Sequence, residues 1–390
     1  VAPFSHIENR QLDFDLTIHN NDCLVLRYIT NTCRMFWREE LESRVEGVEE
    51  KEQDEYKILH RFTKEDEHLM NGLPKGEWEE YRKKNQFEIA GPLLTERERH
   101  EQQMHLINKL FGVGFSLHRH REAGKAWSLW GMDAKNSDGN ESHGGSGKSL
   151  FPNLLHSQKL IRSQYREGRN KKLTENPHFW EGCDKHTDLL IVDDCYRYMD
   201  FGFFFSSIGG PINVNPKNNK QFTIDASDAP KIWFTSNFPP HDVDISTERR
   251  IIYMLYSDYY HYSRMDEYRE NRSVLDEFGK NFGNEFTEHE WNMFLNLLMQ
   301  CIKFYLNCTA KINPPMENVN KRNLKSTMGE AFEPWADAYF SADGGKLDFM
   351  VVKDEALNDY VRSTNQKQLT TNRFTKSLQA WCYYQGYELN

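Results

Sequence analysis

The sequence predicts an α/β fold in which a parallel central sheet surrounds a phosphate-binding loop, with a helical region before it and a smaller domain after it. Three observations carry that expectation. The stretch Ser142-His143-Gly144-Gly145-Ser146-Gly147-Lys148-Ser149 ends as a phosphate-binding loop ends. Leu189-Leu190-Ile191-Val192 and Lys231-Ile232-Trp233-Phe234-Thr235 are short apolar runs of the kind that fill fully buried parallel strands. Around them lie long charged segments whose apolar residues recur at helical spacing.

Along the chain, residues 1–119 read as helical. Leu24, Leu26, Ile29, Met35 and Phe36 are spaced through polar sequence, and Leu106, Leu110, Val113 and Leu117 lie three or four residues apart. The acidic run 46–55 reads as a solvated helix face or loop. A strand is expected over Ala126–Trp130, ending at Gly131, with the polar residues 132–143 as a loop insertion. The insertion accounts for Ser142, which stands where the usual G-x-x-x-x-G-K-[ST] pattern has glycine. On that reading Gly131 is the glycine that leaves the strand. A helix is expected from about Lys148, with Pro152 in or near its first turn, where a missing N–H costs little. Trp291, Phe294, Leu295, Leu298, Ile302 and Leu306 share one helical face. Asn313-Pro314-Pro315 then breaks the pattern, so the expected domains are 1–119, 120–312 and 313–390. Residues 329–390 read as helix, short strand, helix, helix and a terminal strand at Tyr387.

Composition narrows the class. The 390 residues are 28% charged with a net charge of −10, and the mean hydropathy is −0.80. These values, with no apolar run of membrane-spanning length and no basic-then-apolar leader, predict a soluble, cytoplasmic protein. Seven cysteines without a C-x-x-C pair suggest reduced thiols rather than disulfides or a zinc ribbon. The acidity argues against a coat for polyanions, although nucleic acid needs only a local basic surface. The chain begins with Val rather than Met, which suggests a piece of a longer protein.

The candidate chemistry starts at the glycine-rich loop. Gly144, Gly145, Ser146 and Gly147 would let backbone N–H groups turn inward around a polyphosphate, Lys148 would neutralise the terminal phosphates, and the Ser149 hydroxyl would help hold Mg²⁺. Asp193 and Asp194 end the first apolar run: the first suits Mg²⁺, the second suits deprotonation of an attacking water. Acidic strand ends are common, and their weight comes from lying downstream of Lys148. Asn237 follows the second run and would sense the γ-phosphate, or simply close a turn before Pro239-Pro240. Arg249 and Arg250 precede the apolar Ile251 and Ile252, as an arginine finger would; a surface ion pair with Glu248 is the plainer alternative.

Two basic features invite a polyanion. Ile212 and Val214 alternate before the tip Pro216-Lys217-Asn218-Asn219-Lys220, and Phe222 and Ile224 alternate after it, a hairpin signal with Lys217, Asn218 and Lys220 exposed at the turn. Lys159, Arg162, Arg166 and Arg169 recur at helical spacing and read as a basic stripe on the helix after the loop, facing a partner or solvent. His118-Arg119-His120-Arg121 lacks the further ligands a metal site would need.

Gly145-Ser146-Gly147-Lys148-Ser149, Asp193-Asp194, Asn237 and Arg250, in this order, resemble the superfamily 3 helicases of the AAA+ ATPases, nearest the primase–helicases of phages, plasmids and poxvirus-type viruses. The resemblance covers about residues 100–260 by motif. It implies an AAA+ core, ATP and Mg²⁺ bound between subunits of a ring, hexameric in the family's manner, and Arg250 or Arg249 as the finger inserted into a neighbour's site. It further implies single-stranded and forked DNA as partners gripped by the Lys217–Lys220 hairpin, and a primase domain upstream. The C-terminal segment resembles a winged helix: Phe374, Leu378 and Trp381 form one face of its last helix, and Arg373, Lys376 and Gln379 the DNA-facing other. Two other classes fit parts of the pattern. One is an ATP-regulated DNA-binding initiator or scaffold that does not unwind; the other is a P-loop kinase or small-molecule ATPase, which leaves Asn237 and Arg250 unexplained.

Overall fold

Alternate residues of the apolar runs face opposite ways, and each face meets its own core. The computed structural model describes residues 23–38, 47–50, 93–117, 124–134, 145–240, 245–262, 272–315, 331–341, 345–347, 349–364 and 370–387, with a few single residues between them. Strands β1 (Ser128–Asp133), β2 (Ser163–Glu167), β3 (Leu189–Cys195), β6 (Lys231–Ser236) and β7 (Ile251–Tyr256) form one parallel sheet in the order β2-β3-β6-β1-β7. Leu189, Ile191, Trp233, Ile252 and Met254 enter one core cluster, while Leu190, Val192, Ile232, Phe234 and Tyr253 enter the other. The period of two is why these runs are uninterrupted by polar residues: both faces are covered.

The first face is covered by helices α1 (Leu24–Asn31), α2 (Glu96–Leu117), α3 (Leu150–Ser157) and, later in the chain, α7 (Glu288–Asn307). The expected helix containing Leu106, Leu110, Val113 and Leu117 is α2, with the first three of these buried. Most of residues 39–92, including half of the acidic run, lie outside the described residues, as does Gly144. The second face is covered by a 3-10 turn (Phe201–Phe204), α4 (Phe205–Gly209) and a two-stranded hairpin, β4 (Ile212–Val214) with β5 (Phe222–Ile224). Ile212 pairs with Ile224 and Val214 with Phe222, as the alternation predicted. Helix α5 (Ile245–Arg250) leads straight into β7, and α6 (Val274–Phe278) precedes α7.

Several expectations are corrected. β1 starts two residues later and runs through Gly131, which pairs with Thr235 and Met254 in the strand interior and does not open the loop. The helix after the loop begins at Leu150, with Pro152 in its first turn as expected, but stops at Ser157. Lys159 then has φ +54 and the chain turns into β2, so Arg162, Arg166 and Arg169 lie on and beside an edge strand rather than on a helical stripe. Edge strands have few apolar demands, which let Ser163-Gln164-Tyr165-Arg166-Glu167 pass for helix. On α7, Leu295 and Leu306 are exposed; the buried face is Phe294, Leu297, Leu298, Cys301, Phe304 and Tyr305, turned toward α2 and α1.

A third core cluster begins after the Asn313-Pro314-Pro315 break. Helices α8 (Phe332–Tyr339), α9 (Lys353–Thr364) and α10 (Thr371–Gln385) pack Phe332, Trp335, Tyr360, Phe374 and Trp381 together. Tyr387 is in no strand, and no strand occurs in this segment among the described residues. On α10, Phe374 and Trp381 are buried while Arg373, Lys376 and Gln379 are exposed, so the faces fall as expected. All seven cysteines are buried and free. Among the described residues, no helix is long and apolar enough to cross a membrane.

Candidate active site

The C-terminal ends of β1, β6 and β3 lie side by side, and the sequence-predicted residues gather there. The glycine loop follows β1, Asn237 follows β6, and Asp193 and Asp194 are among the last residues of β3. Because β6 separates β1 from β3, the tip of β6 stands between the loop and the acids.

The loop has the backbone that its glycines predict. Gly145 and Gly147 have φ +107 and +85, values that side-chain-bearing residues rarely adopt. A Cβ on Gly145 would fall 2.6 Å from the Tyr262 ring, and one on Gly147 would lie 3.0 Å from Tyr28. Tyr28, from α1, also donates a 2.8 Å hydrogen bond to the Gly147 carbonyl, which pins the loop to the helical region before the sheet. Lys148 is buried, and its ammonium lies 3.3 and 3.2 Å from the two carboxylate oxygens of Asp133. Ser146 donates a 2.5 Å bond to the same carboxylate. Asp133 was not singled out in the sequence; its signal was an acid at the end of an apolar strand, eclipsed by the loop that follows.

The acids are held in two different ways. Asp193 is buried, and its Oδ1 accepts a hydrogen bond from the Thr235 hydroxyl. Its Oδ2 accepts from the Tyr165 phenol at 3.1 Å and from the Asn153 amide, on α3, at 3.5 Å. Burial, followed by the Asp193 carboxylate, pushes the Tyr165 phenol up to about 12, so it remains a donor at neutral pH. Asp194 has φ +56, breaks the β3–β6 register, and pairs with Arg169, whose side chain is largely exposed. The Asp194 amide donates a 2.8 Å bond to the Thr235 hydroxyl. Ser149, the residue after the loop lysine, brings its hydroxyl within 3.4 Å of that same oxygen. Thr235 and Arg169 were therefore present in the sequence reading, the one inside a strand and the other on a supposed helical stripe, but without these contacts.

The arginines and the hairpin sit elsewhere. Arg250 folds back on its own helix, donating to the Ser246 carbonyl at 2.8 Å and hydroxyl at 2.6 Å, with its guanidinium 4.7 Å from the Phe205 ring centre. Arg249 is exposed. At the hairpin, the Lys217 amide donates to Glu181 at 3.1 Å, and His178 Nδ1 lies 2.6 Å from the Asn215 carbonyl oxygen. These bonds anchor the base of the turn, while the side chains of Lys217, Asn218 and Lys220 stay exposed, Asn218 at φ +59. Arg166 does not face outward as a stripe would: it donates to the carbonyls of Phe179 and Glu181. Among the described residues, no group of three or more histidines, cysteines and acids could hold a metal ion by itself.

No family model matches this sequence, and no curated protein does. Among solved structures, the chain is similar to the apo A form of the NrS-1 C-terminal region, at 13% identity and a TM-score of 0.36. That match covers 74% of this chain and 66% of the other. A likeness of that depth leaves function to be argued from the site.

Proposed function

We propose that this protein is a Mg²⁺-dependent ATPase that works as the motor of a DNA-unwinding ring. The observation that carries the reading is the convergence, at one sheet edge, of a glycine loop with a buried lysine and a buried strand-end carboxylate, joined through Ser149 and Thr235. The residues present fit a nucleotide's phosphates. Gly145 and Gly147 already have the backbone that turns amides inward, and the buried Lys148 ammonium is already held by an anion, Asp133, where phosphate would take its place.

In that reading the loop amides and Lys148 bind and neutralise the phosphates, and Ser149 and Asp193 would hold Mg²⁺, which would offset the negative charge of the phosphates. Asp194 takes the proton of the attacking water once it leaves Arg169. Asn237, at the tip of β6 between loop and acids, orients that water. A hydrolytic site of this kind gains most from a cation that arrives only in the assembled state. Arg249 and Arg250 are the candidates, and the exposed Arg249 is the freer of the two to reach a neighbouring subunit. The exposed Lys217, Asn218 and Lys220 tip suits the phosphates of single-stranded DNA, and Arg373 and Lys376 on α10 suit a duplex or fork. A hexameric ring, and a primase domain upstream, belong to this proposal through the family resemblance.

The test is hydrolysis of ATP with and without Mg²⁺ and single-stranded DNA, together with unwinding of a forked duplex. Lys148→Ala should abolish hydrolysis; wild-type turnover in that variant would remove the central claim. Hydrolysis or nucleotide-dependent assembly without strand displacement would favour the initiator or scaffold reading.

A further inference from the structure

Resting on the Mg²⁺–ATP reading above, the geometry points to Thr235 as a positioning residue that couples the phosphate loop to both acids. Its hydroxyl stands where three elements meet. It donates to Asp193 Oδ1 on β3, accepts a 2.8 Å bond from the Asp194 amide, and lies 3.4 Å from the Ser149 hydroxyl at the start of α3. Thr235 is 0% exposed, so water cannot stand in for any of these bonds.

Two consecutive residues of a regular strand point to opposite faces, and their amides belong to the ladder. Here the β3–β6 register shifts between Val192 and Cys195, and Asp194 enters the left-handed region. A residue other than glycine stays there only when its surroundings hold it. The Asp194 amide, taken out of the ladder, finds Thr235. The same hydroxyl draws Asp193 inward beside Tyr165 and Asn153, while Asp194 turns its carboxylate toward Arg169. One oxygen thus sets the divergent aim of the two carboxylates, one for metal and one for water.

A hydroxyl has one proton and two lone pairs. In Thr235 the proton goes to Asp193 and one lone pair takes the Asp194 amide, which leaves the second for the Ser149 proton. Any turn of Ser149 toward a metal therefore changes the load on the atom that holds the Asp194 backbone. Sequence neighbours could not provide this link, because Ser149 and Asp193 are both far from residue 235 along the chain.

The experiment compares Thr235→Val, which keeps the shape without the hydroxyl, Thr235→Ala, a second variant lacking it, and Thr235→Ser, which retains it. In nucleotide-free protein, amide hydrogen exchange at residues 193–195 should speed up by about tenfold or more in the valine and alanine variants and stay near wild type in the serine variant. Nucleotide affinity without Mg²⁺ should stay within about threefold of wild type, while the tightening brought by Mg²⁺ shrinks and kcat falls about 10- to 100-fold with KM changed less. Wild-type exchange, Mg²⁺ response and kcat in a hydroxyl-free variant would overturn the assignment. So would a serine variant as impaired as valine, since it would show that shape rather than the hydroxyl matters. A wild-type protein that neither binds nor hydrolyses Mg²⁺–ATP would sink the functional reading instead, and the exchange result would still decide what Thr235 does to the Asp194 backbone.

Discussion

Asp133→Asn removes one charge from beneath the glycine loop while keeping the side chain's shape and an acceptor for Ser146, and on the proposed function it should tighten nucleotide binding. In the structure the Asp133 carboxylate lies 3.2 Å from the Lys148 ammonium, and the two side chains are only 10% and 8% exposed. At that separation two unit charges attract by about 5 kcal/mol at an effective dielectric constant of 20. A phosphate that enters the loop must replace this attraction and then sit beside a second anion. In the variant, the empty site holds a buried ammonium without its counter-ion, which raises the free energy of the empty state rather than the filled one. Both effects favour binding. After discounting for water and residual hydrogen bonding, roughly 1.5–3 kcal/mol should survive, about a 10- to 100-fold gain in nucleotide affinity. Calorimetric or fluorescent-nucleotide titration at fixed salt measures the gain, and thermal unfolding of the same samples should show an empty variant less stable than wild type and a filled one that recovers. Unchanged or weaker nucleotide affinity in a folded Asp133→Asn protein would refute the view of Asp133 as a resident substitute for phosphate.

Other consequences are open to direct measurement. Arg249→Ala should keep nucleotide binding, lose turnover by about 10³-fold or more, and recover part of it when mixed with Asp194→Asn subunits that retain the finger. Arg250→Ala should chiefly lower the melting temperature, because it removes the bonds to Ser246 and the cover over Phe205; the reverse pattern would assign the finger to Arg250. Lys217→Ala combined with Lys220→Ala should weaken single-strand binding and reduce the slope of log affinity against log salt by about 1.4, the value for two phosphate contacts. An unchanged slope would make the hairpin a plain turn. Lys231, buried at the start of β6 and bonded to the Phe115 carbonyl, is pushed down to about 7 by burial, with Arg121 and Lys125 adding repulsion. Between pH 7 and pH 10 the unfolded chain therefore holds a proton that the folded chain has lost, so this group's contribution to stability rises with pH across that window and is most unfavourable below it. Urea unfolding should show wild type gaining on Lys231→Met by up to about 1.4 kcal/mol per pH unit there, and parallel curves would contradict the assignment.

What the sequence determined by itself was the local and periodic part of this protein. Leu189–Val192 and Ile232–Phe234 announced buried strands because a strand covered on both faces carries apolar side chains on both. The alternation around Pro216–Lys220 announced a hairpin, and the glycines before Lys148 announced a tightly turned loop. Phe374 and Trp381 marked the buried face of α10, opposite Arg373 and Lys376. Where periodicity was weak, local reading failed: Arg162, Arg166 and Arg169 fit a helical spacing, yet their chain forms an edge strand that needs few apolar residues. Gly131 looked like a loop glycine and is a strand residue, since its role depends on the neighbouring strands β6 and β7. The tertiary structure alone decided the wiring of the site. Strand order put β6 between the loop and the acids, so a threonine hidden in an apolar run became the contact of Ser149, Asp193 and Asp194, and Asp133 became the partner of Lys148. Such links join residues far apart in the chain, and no local pattern encodes them, because a hydrogen bond depends on which atoms the sheet brings within about 3 Å and not on which residues precede them.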